Sequence, residues 1–458
     1  MDVLSKTTSR KPRLLFCASS LSGHAGPLIR VASELNGRGF DVTFLTGKEF
    51  HDSIARFGGK PLPLPEIDPN FWSMYTKVAP GIERMVFAMR NYFIDTTEGN
   101  MKSLYRALET LNSIDAGWPI VVITETFFTG SHPMYNGAPL PNGFKTRPPM
   151  LNINPLPYSA SSRDVFPFGP GLAPDSSKEG RARIASAREE LKKGPWKGLV
   201  DAEAEIMKRL GANNYQAPET IFDTWTYSHD MTLQLCPPSL EYARSDLPAK
   251  VRFVGAITPR PLGSQKGFRY PDFWDEITSG EKKVIVTTQG TIAQDYEDLI
   301  LPTMRAMADC GNIIVVGILG TKGATLREHN LPANARVVDH LPYDMILPYA
   351  SAFVFNAGYG GLIHGVTNGV PIVLAGTTED KPEVAMRGEW SGVGINLRTG
   401  KPTVKQLADA IHRVLEDPKF KNRAMQIKKE NEEMDAVSRI EETIMDLVGE
   451  RGIGKTQS

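Results

Sequence analysis

His24 and Glu125 have the types and placement for proton chemistry. His24 stands in Ser19-Ser20-Leu21-Ser22-Gly23-His24-Ala25-Gly26, between an apolar strand over 14–18 and a helix whose first turn takes Pro27. An imidazole in a glycine-flanked loop at the carboxyl end of a strand is positioned to accept a proton from a hydroxyl, provided its other ring nitrogen finds a partner. Glu125, directly after the apolar strand 119–124, is the candidate partner. A carboxylate there would fix the tautomer and stabilise the imidazolium formed in reaction. The plainer alternatives are a surface histidine or helix cap at 24, and a partner for some loop arginine at 125.

A second group, suited to anions, lies in residues 351–381, SAFVFNAGYGGLIHGVTNGVPIVLAGTTEDK. The run 351–355 reads as a buried strand, and Gly358, Gly360 and Gly361 mark the loop after it. The stretch to Asn368 reads as a helix stopped by Gly369, and 370–374 as a further strand. Glycines between a strand end and a helix start leave backbone N–H groups uncovered at the positive end of the helix, a site for phosphate oxygens. A tight turn of any α/β domain is the other reading. Beyond it, Glu379, Asp380 and Glu383 offer acceptors to the hydroxyls of a sugar. There is no Gly-x-x-x-x-Gly-Lys-Ser/Thr, which excludes an ATPase phosphate loop. Nor is there a Gly-x-Gly-x-x-Gly followed by a ribose-binding acid, which argues against nicotinamide chemistry.

Two α/β units are needed to carry these residues. At 458 residues the chain exceeds the ~250–300 at which single cores stop growing. In the first half, strands 14–18 and 41–45 flank a helix with Leu28, Val31, Ala32 and Leu35 on one face, a βαβ unit. Strands 119–124, 151–153, 233–236 and 251–254 continue it, and 178–193 reads as a solvated peripheral helix. Phe71, Trp72, Met89 and Phe93 lie in a segment broken by prolines and, with Phe127 and Phe128 beside Glu125, read as core or as the wall of a pocket for a flat apolar ligand. Residues 255–272, with Pro259, Pro261 and Pro271, form the linker. After it, strands 283–288, 313–317 and 336–338 alternate with helices 296–308 and 345–349. Helices over 403–415, from Pro418 and after Asp435 close the chain. The loops 288–293, 340–343, 356–361 and 376–383 are expected to face one cleft.

Composition removes other classes of function. With 52 basic and 52 acidic residues the chain has no net charge to attract nucleic acid or an anionic membrane. Cys17, Cys236 and Cys310 are too scattered for a disulfide framework and fit a reducing compartment. No run reaches the ~18 apolar residues of a membrane span, and 1–13 reads as a loose tail, so a cytoplasmic protein is expected.

The chain resembles the sugar-nucleotide-dependent glycosyltransferases of the family 1 (UDP-glycosyltransferase) superfamily, over essentially its whole length. The resemblance rests on Ser22-Gly23-His24-Ala25-Gly26-Pro27 in front and, behind, on the donor signature 356–381 with Gly369-Val370-Pro371 at its middle. Thr-Glu-Asp-Lys-Pro-Glu at 378–383 is most like the microbial branch acting on natural products and lipids. The resemblance implies the GT-B fold, an α/β architecture of two facing Rossmann-like domains with an interdomain cleft. It divides the chain into an acceptor-binding domain over 1–255, a linker over 256–280, a nucleotide-sugar-binding domain over 281–435, and a helix and tail over 436–458 that pack back on the N-terminal domain. It puts the catalytic base on His24 and its acidic partner on Glu125, where aspartate is usual.

The donor set implied by the resemblance is Gly23, Gln289, Gly290, Thr291, His340, Leu341, Asn356, Gly358, Tyr359, Gly360, Gly361, His364, Glu379, Asp380 and Lys381. Within it Thr291 takes the place of the hydroxyl residue that helps hold the diphosphate, and Asn356 that of a histidine. His364 takes the place of the ribose-gripping glutamate, and Lys381 that of a glutamine. The aromatic platform for the base falls near His340. Phe71, Trp72, Met89, Phe93, Phe127 and Phe128 make the acceptor wall.

The expected reaction is inverting transfer of a hexose from a nucleoside diphosphate sugar, UDP-glucose by default, to a hydroxyl of an apolar small molecule such as a phenolic, polyketide, sterol or lipid. No metal is expected, because the glycine turn and its helix take the place of a bound cation. Neither nucleic acid nor a membrane span is expected, and the protein should be a monomer or weak dimer. Two other classes compete: a sugar-nucleotide epimerase or hydrolase on the same fold, and a non-catalytic sugar-nucleotide-binding protein.

Overall fold

The computed structural model describes residues 11–258, 269–290, 293, 295–326 and 329–453, the last four by backbone alone. Apolar runs form two all-parallel sheets. The front sheet comprises β1 (Arg13–Cys17), β2 (Val42–Thr46), β3 (Lys60–Pro63), β4 (Ile120–Glu125), β5 (Met150–Asn154), β6 (Met231–Gln234) and β7 (Val251–Phe253). The rear sheet comprises β8 (Lys283–Thr288), β9 (Ile313–Ile318), β10 (Ala335–Val338), β11 (Ala350–Phe355), β12 (Ile372–Leu374) and β13 (Gly394–Asn396). Alternate side chains of β1 enter separate cores: Leu14 and Phe16 on one face, Leu15 and Cys17 on the other. β8 does the same with Val284 and Val286 against Ile285. Burial on both faces explains why these strands read as unbroken apolar runs.

The strand orders are β3-β2-β1-β4-β5-β6-β7 and β10-β9-β8-β11-β12-β13. In each, the order reverses beside the first strand, which opens a crevice at the carboxyl ends of β1 and β4 in front and of β8 and β11 behind. Register then fixes which residues meet. Cys17 pairs with Thr124, so Glu125 lies beside the turn that follows β1. Thr288 pairs with Phe355, so Gln289 and Asn356 emerge together.

Several elements differ from expectation. Residues 60–63, read as part of a proline-broken wall, form the edge strand β3 in parallel register with β2; an edge position leaves the donor-less side of a proline free of the ladder. The helix expected over 296–308 is confined to Ile300–Ala306, and that over 345–349 is a turn Tyr343–Ile346 followed by a 3-10 turn. Helices Thr97–Ile114, Pro195–Arg209 and Ile221–Tyr227 and strand β13 complete the lobes. The linker residues 259–268 lie outside the described residues.

After helix Pro418–Met434 the chain turns at Asp435, whose φ of 46° is left-handed. It then runs as helix Ala436–Ile453 along the front lobe. Ile440, Ile444 and Leu447 enter the core formed by Leu28, Val31 and Leu35 of helix Ser22–Gly37. Each such burial contributes about 1.5–3 kcal/mol. Glu441 ties the last helix further to the front lobe, meeting Lys11 at 2.7 Å and Arg38 at 2.9 Å.

Candidate active site

His24 sits on the first turn of helix Ser22–Gly37 rather than in a loop, its amide and that of Ala25 donating to the Leu21 carbonyl at 2.9 and 2.8 Å. Pro27 consequently falls inside the helix and not on its first turn. First-turn N–H groups need no partner within a helix, so the glycines at 23 and 26 do not prevent it from starting early. Both glycines are exposed, with nothing within 4 Å of where a Cβ would stand, which leaves bare backbone at the helix start.

Glu125 ends β4 and is fully buried. Its Oε2 meets His24 Nδ1 at 3.0 Å and accepts from the Phe127 amide at 2.6 Å, while Oε1 accepts from the Ser19 amide at 3.2 Å. Burial alone would push this carboxyl up; the His24 imidazole and the donated hydrogen bonds outweigh it and hold Glu125 below the usual range. An ionised carboxylate has no proton to give, so Nδ1 carries the imidazole proton and the lone pair is left on Nε2. Nε2 has no protein hydrogen-bond partner among the described residues. The side chain is 11% exposed, with Phe93 and Phe127 packed on the ring at 5.6 and 5.1 Å between centroids. Access to Nε2 is therefore narrow and apolar.

On the rear lobe, β11 ends in Asn356, whose amide nitrogen donates to the Gln289 carbonyl and ties the ends of β8 and β11 together. Ala357 follows at φ 59°, a strained value for a residue with a Cβ, and Gly358 then starts helix Tyr359–Thr367. No side chain caps this helix, and Gly360 is exposed. Gly376 lets the loop after β12 approach β11 closely, since a Cβ there would stand 2.3 Å from the Asn356 carbonyl oxygen. That approach brings Lys381 alongside. Lys381 Nζ donates to Thr378 Oγ1 at 2.8 Å and pairs with Glu379.

Asp380 is raised by its burial and by the Glu379 charge, against the Lys381 ammonium. His364 Nδ1 meets Asp344 Oδ1 at 2.7 Å, and Asp344 Oδ2 meets Arg30 of the front lobe at 3.1 Å. Burial pushes Asp344 up, but His364 and Arg30 hold it below the usual range. His340 is exposed, its amide bonded to Asp339 Oδ1 at 2.8 Å. Thr291 lies outside the described residues.

Other expected ligands are committed elsewhere. The Gln289 side chain is buried, donating to the Asp295 carbonyl at 2.8 Å and accepting from the Ile300 amide at 3.0 Å; only its backbone, with that of Gly290, faces the turn. Tyr359 is buried in the rear core, and its hydroxyl accepts from Gln234 Nε2 at 3.2 Å, so it joins the lobes. Leu341 is also core. Glu383, expected among the sugar acceptors, is 4% exposed and locked between Arg387 and two backbone amides.

On the acceptor side, Phe71, Met89 and Phe93 are buried together with Trp225 and Phe222, and Trp72 is 48% exposed. Phe127 is half-buried in this cluster. Phe128 is fully buried in the other face's core with Leu15, Cys17 and Leu104, and offers no surface to a ligand. Successive residues leaving a strand point to opposite faces, which separates Phe127 from its neighbour.

Glu203, Asp344 and the hydroxyl of Tyr75, whose ring belongs to the aromatic wall segment, were not singled out from sequence. Glu203 had a signal, an acid inside the apolar stripe Leu199, Ala202, Ile206 of helix Pro195–Arg209. It accepts from Trp225 Nε1 at 2.8 Å and Tyr215 at 2.9 Å, and burial pushes it up to about 7. No local pattern marks Asp344 or the Tyr75 hydroxyl. Among the described residues no group of three or more His, Cys, Asp or Glu is placed to hold a metal ion.

Two parallel-sheet lobes of this kind are the GT-B fold, and comparison with known proteins agrees. The solved structure of the glycotransferase of kitacinnamycin superposes with a TM-score of 0.71 over 96% of this chain and 99% of that one, at 19% identity. The profile described as "Erythromycin biosynthesis protein CIII-like, C-terminal domain" matches residues 302–447. UDP-glucosyltransferase 1 of Beauveria bassiana (strain ARSEF 2860) is 44% identical over 438 residues, 94% of this chain and 95% of that protein. UDP-glucosyltransferase B1 of Starmerella bombicola is 36% identical over 451 residues, 95% and 99% respectively. The chain belongs to the family 1 UDP-glycosyltransferases. It is an enzyme that transfers sugar from a nucleotide sugar to an acceptor.

Proposed function

We propose that this enzyme moves glucose from UDP-glucose to a hydroxyl of an apolar small molecule, a phenolic, polyketide, sterol or lipid, with inversion at the anomeric carbon. The reading is carried by the His24–Glu125 contact of 3.0 Å at the front crevice. The acceptor hydroxyl gives its proton to His24 Nε2 while its oxygen attacks the anomeric carbon. The bond from that carbon to the diphosphate breaks on the opposite face, and UDP leaves with the electron pair. Glu125 holds the tautomer and stabilises the imidazolium.

The uncapped turn at Gly358, Gly360 and Gly361, with Gly290, Thr291 and the Asn356 amide, takes the charge that develops on the diphosphate, which makes a metal ion unnecessary. Glu379, Asp380 and Lys381 meet the hexose; His340, the Leu341 backbone and the His364–Asp344 pair flank the nucleoside; Gly23 opens the front helix start toward the diphosphate. The packing of Phe93 and Phe127 on the imidazole supports an apolar acceptor. The names of the two relatives support UDP-glucose. The enzyme acts as a monomer or weak dimer in the cytoplasm.

Incubation of UDP-glucose with a mixed panel of such acceptors, read by mass and by the anomeric configuration of the product, tests the reading. A β-glucoside made equally well in excess chelator is expected, and His24→Ala should lose transfer while still binding UDP. An α-glucoside, unchanged turnover in His24→Ala, or activity that needs added magnesium would each overturn the corresponding step. Free glucose or an epimerised donor, released at full rate without acceptor, would favour a hydrolase or epimerase.

A further inference from the structure

Tyr75 lies one turn into helix Phe71–Lys77 of the front lobe, its ring 6.0 Å from Phe71 and 5.7 Å from Trp72, with the Arg84 guanidinium 5.3 Å away. Its hydroxyl crosses to the rear lobe and donates to Glu379 Oε1 at 3.0 Å. Glu379 has φ 51°, a left-handed backbone that a glutamate adopts only when its surroundings hold it there. Its other oxygen accepts from Thr378 Oγ1 at 2.6 Å and pairs with Lys381. Burial and the Glu379 charge raise the Tyr75 phenol, so it remains a donor at all neutral pH values. An O–H donated to a carboxylate oxygen in this loop is the contact a hexose hydroxyl would make there.

We propose that Tyr75 is a positioning residue whose hydroxyl stands in for a hexose hydroxyl on Glu379, and that it is exchanged for the sugar when the donor loads. The inference rests on the reading of Glu379 as a sugar contact. Its consequence is that the helix forming the edge of the acceptor wall is tied to the donor loop until a sugar arrives.

The test is titration calorimetry of wild type and Tyr75→Phe with UDP-glucose and, separately, with UDP. Removing the competitor should tighten UDP-glucose by about three- to tenfold, the net worth of one ordinary hydrogen bond after exchange with water. UDP, which brings no hexose, should bind both proteins alike. In a Glu379→Ala background, which leaves the Tyr75 hydroxyl no acceptor at that position, the Tyr75→Phe effect should vanish. Unchanged or weaker UDP-glucose binding in Tyr75→Phe, or an equal shift for UDP, would overturn the exchange, and thermal unfolding of each variant identifies any loss of fold. If neither UDP nor UDP-glucose binds wild type, the donor assignment has failed and not the role of Tyr75.

Discussion

At the scale of single residues, the outcome depends on how tightly Glu125 is held. Three donors converge on one buried carboxylate, so its two oxygens have fixed tasks and the His24 ring has one orientation. Glu125→Gln keeps the shape but puts an amide where both the imidazole and the backbone N–H groups donate. Turnover should fall on the order of 10⁴-fold, as loss of a triad's acid does, with donor affinity little changed. Glu125→Asp, shorter by one methylene, should fall less; equal losses in the two variants, measured as kcat at saturating donor, would mean that charge at this position does not matter. Both residues were legible because each follows an apolar run that could only be a buried strand. Phe128 and Gln289 were misread for a common reason: sequence gives a residue's place along the chain, and which face its side chain takes depends on the turn that follows the strand.

Among elements, the front aromatic cluster is organised by a helix whose packed face, Val86, Met89 and Phe93, has helical spacing in the sequence, but whose change of winding does not show there. Ile82–Ala88 passes directly into a π-helical turn, Met89–Ile94, so the winding changes partway along. Behind it, Glu203 grips the Trp225 indole, and Trp225 packs on Phe127 and Phe93, the two rings against His24. A carboxyl with an ordinary value of 4.5 and a native value of about 7 has a definite linkage. Below pH ~4.5 it is neutral in both states and costs nothing. From there to about 7 the unfolded chain sheds its proton while the native state keeps it, so native stability declines, by on the order of 3 kcal/mol in all. Glu203→Gln, which does not titrate, should lack this decline. Urea unfolding at pH 5 and pH 7.5 compares the two, and parallel slopes would exclude a perturbed Glu203. Helix Ser22–Gly37 was legible from Leu28 onward; its start was obscured by small residues that read as loop.

Across the whole molecule, the lobes are joined by buried charge. Arg387, 1% exposed, meets Glu241 of the front lobe at 2.8 Å and Glu383 at 3.0 Å, and donates to the Tyr158 carbonyl at 3.1 Å. Glu383 in turn accepts from the Gly169 and Gly171 amides at 2.9 Å each. Gly171, at φ +61°, has no room for a Cβ, which would stand 2.3 Å from the Pro382 carbonyl oxygen. Arg387→Met strands two carboxylates and should cost about 3–5 kcal/mol of unfolding free energy; replacing all three partners by apolar residues should not recover it, because the amides of Gly169, Gly171, Tyr158 and Tyr242 would lose the carboxylates that accept from them. Denaturant midpoints for the single and triple variants measure this, and a single variant as stable as wild type would mean that the charges are solvated. No sequence pattern predicts such a network, because Glu241 and Arg387 come from different lobes and neither sits in a motif. The final helix, by contrast, announced itself through Val437, Ile440 and Ile444. It belongs to the second half of the polypeptide but to the core of the first lobe, and this bears on anyone building hybrid enzymes. Exchanging sugar-side lobes between relatives demands two crossover points, one in the linker and one at Asp435; a single splice would seat a foreign helix on Leu28, Val31 and Leu35.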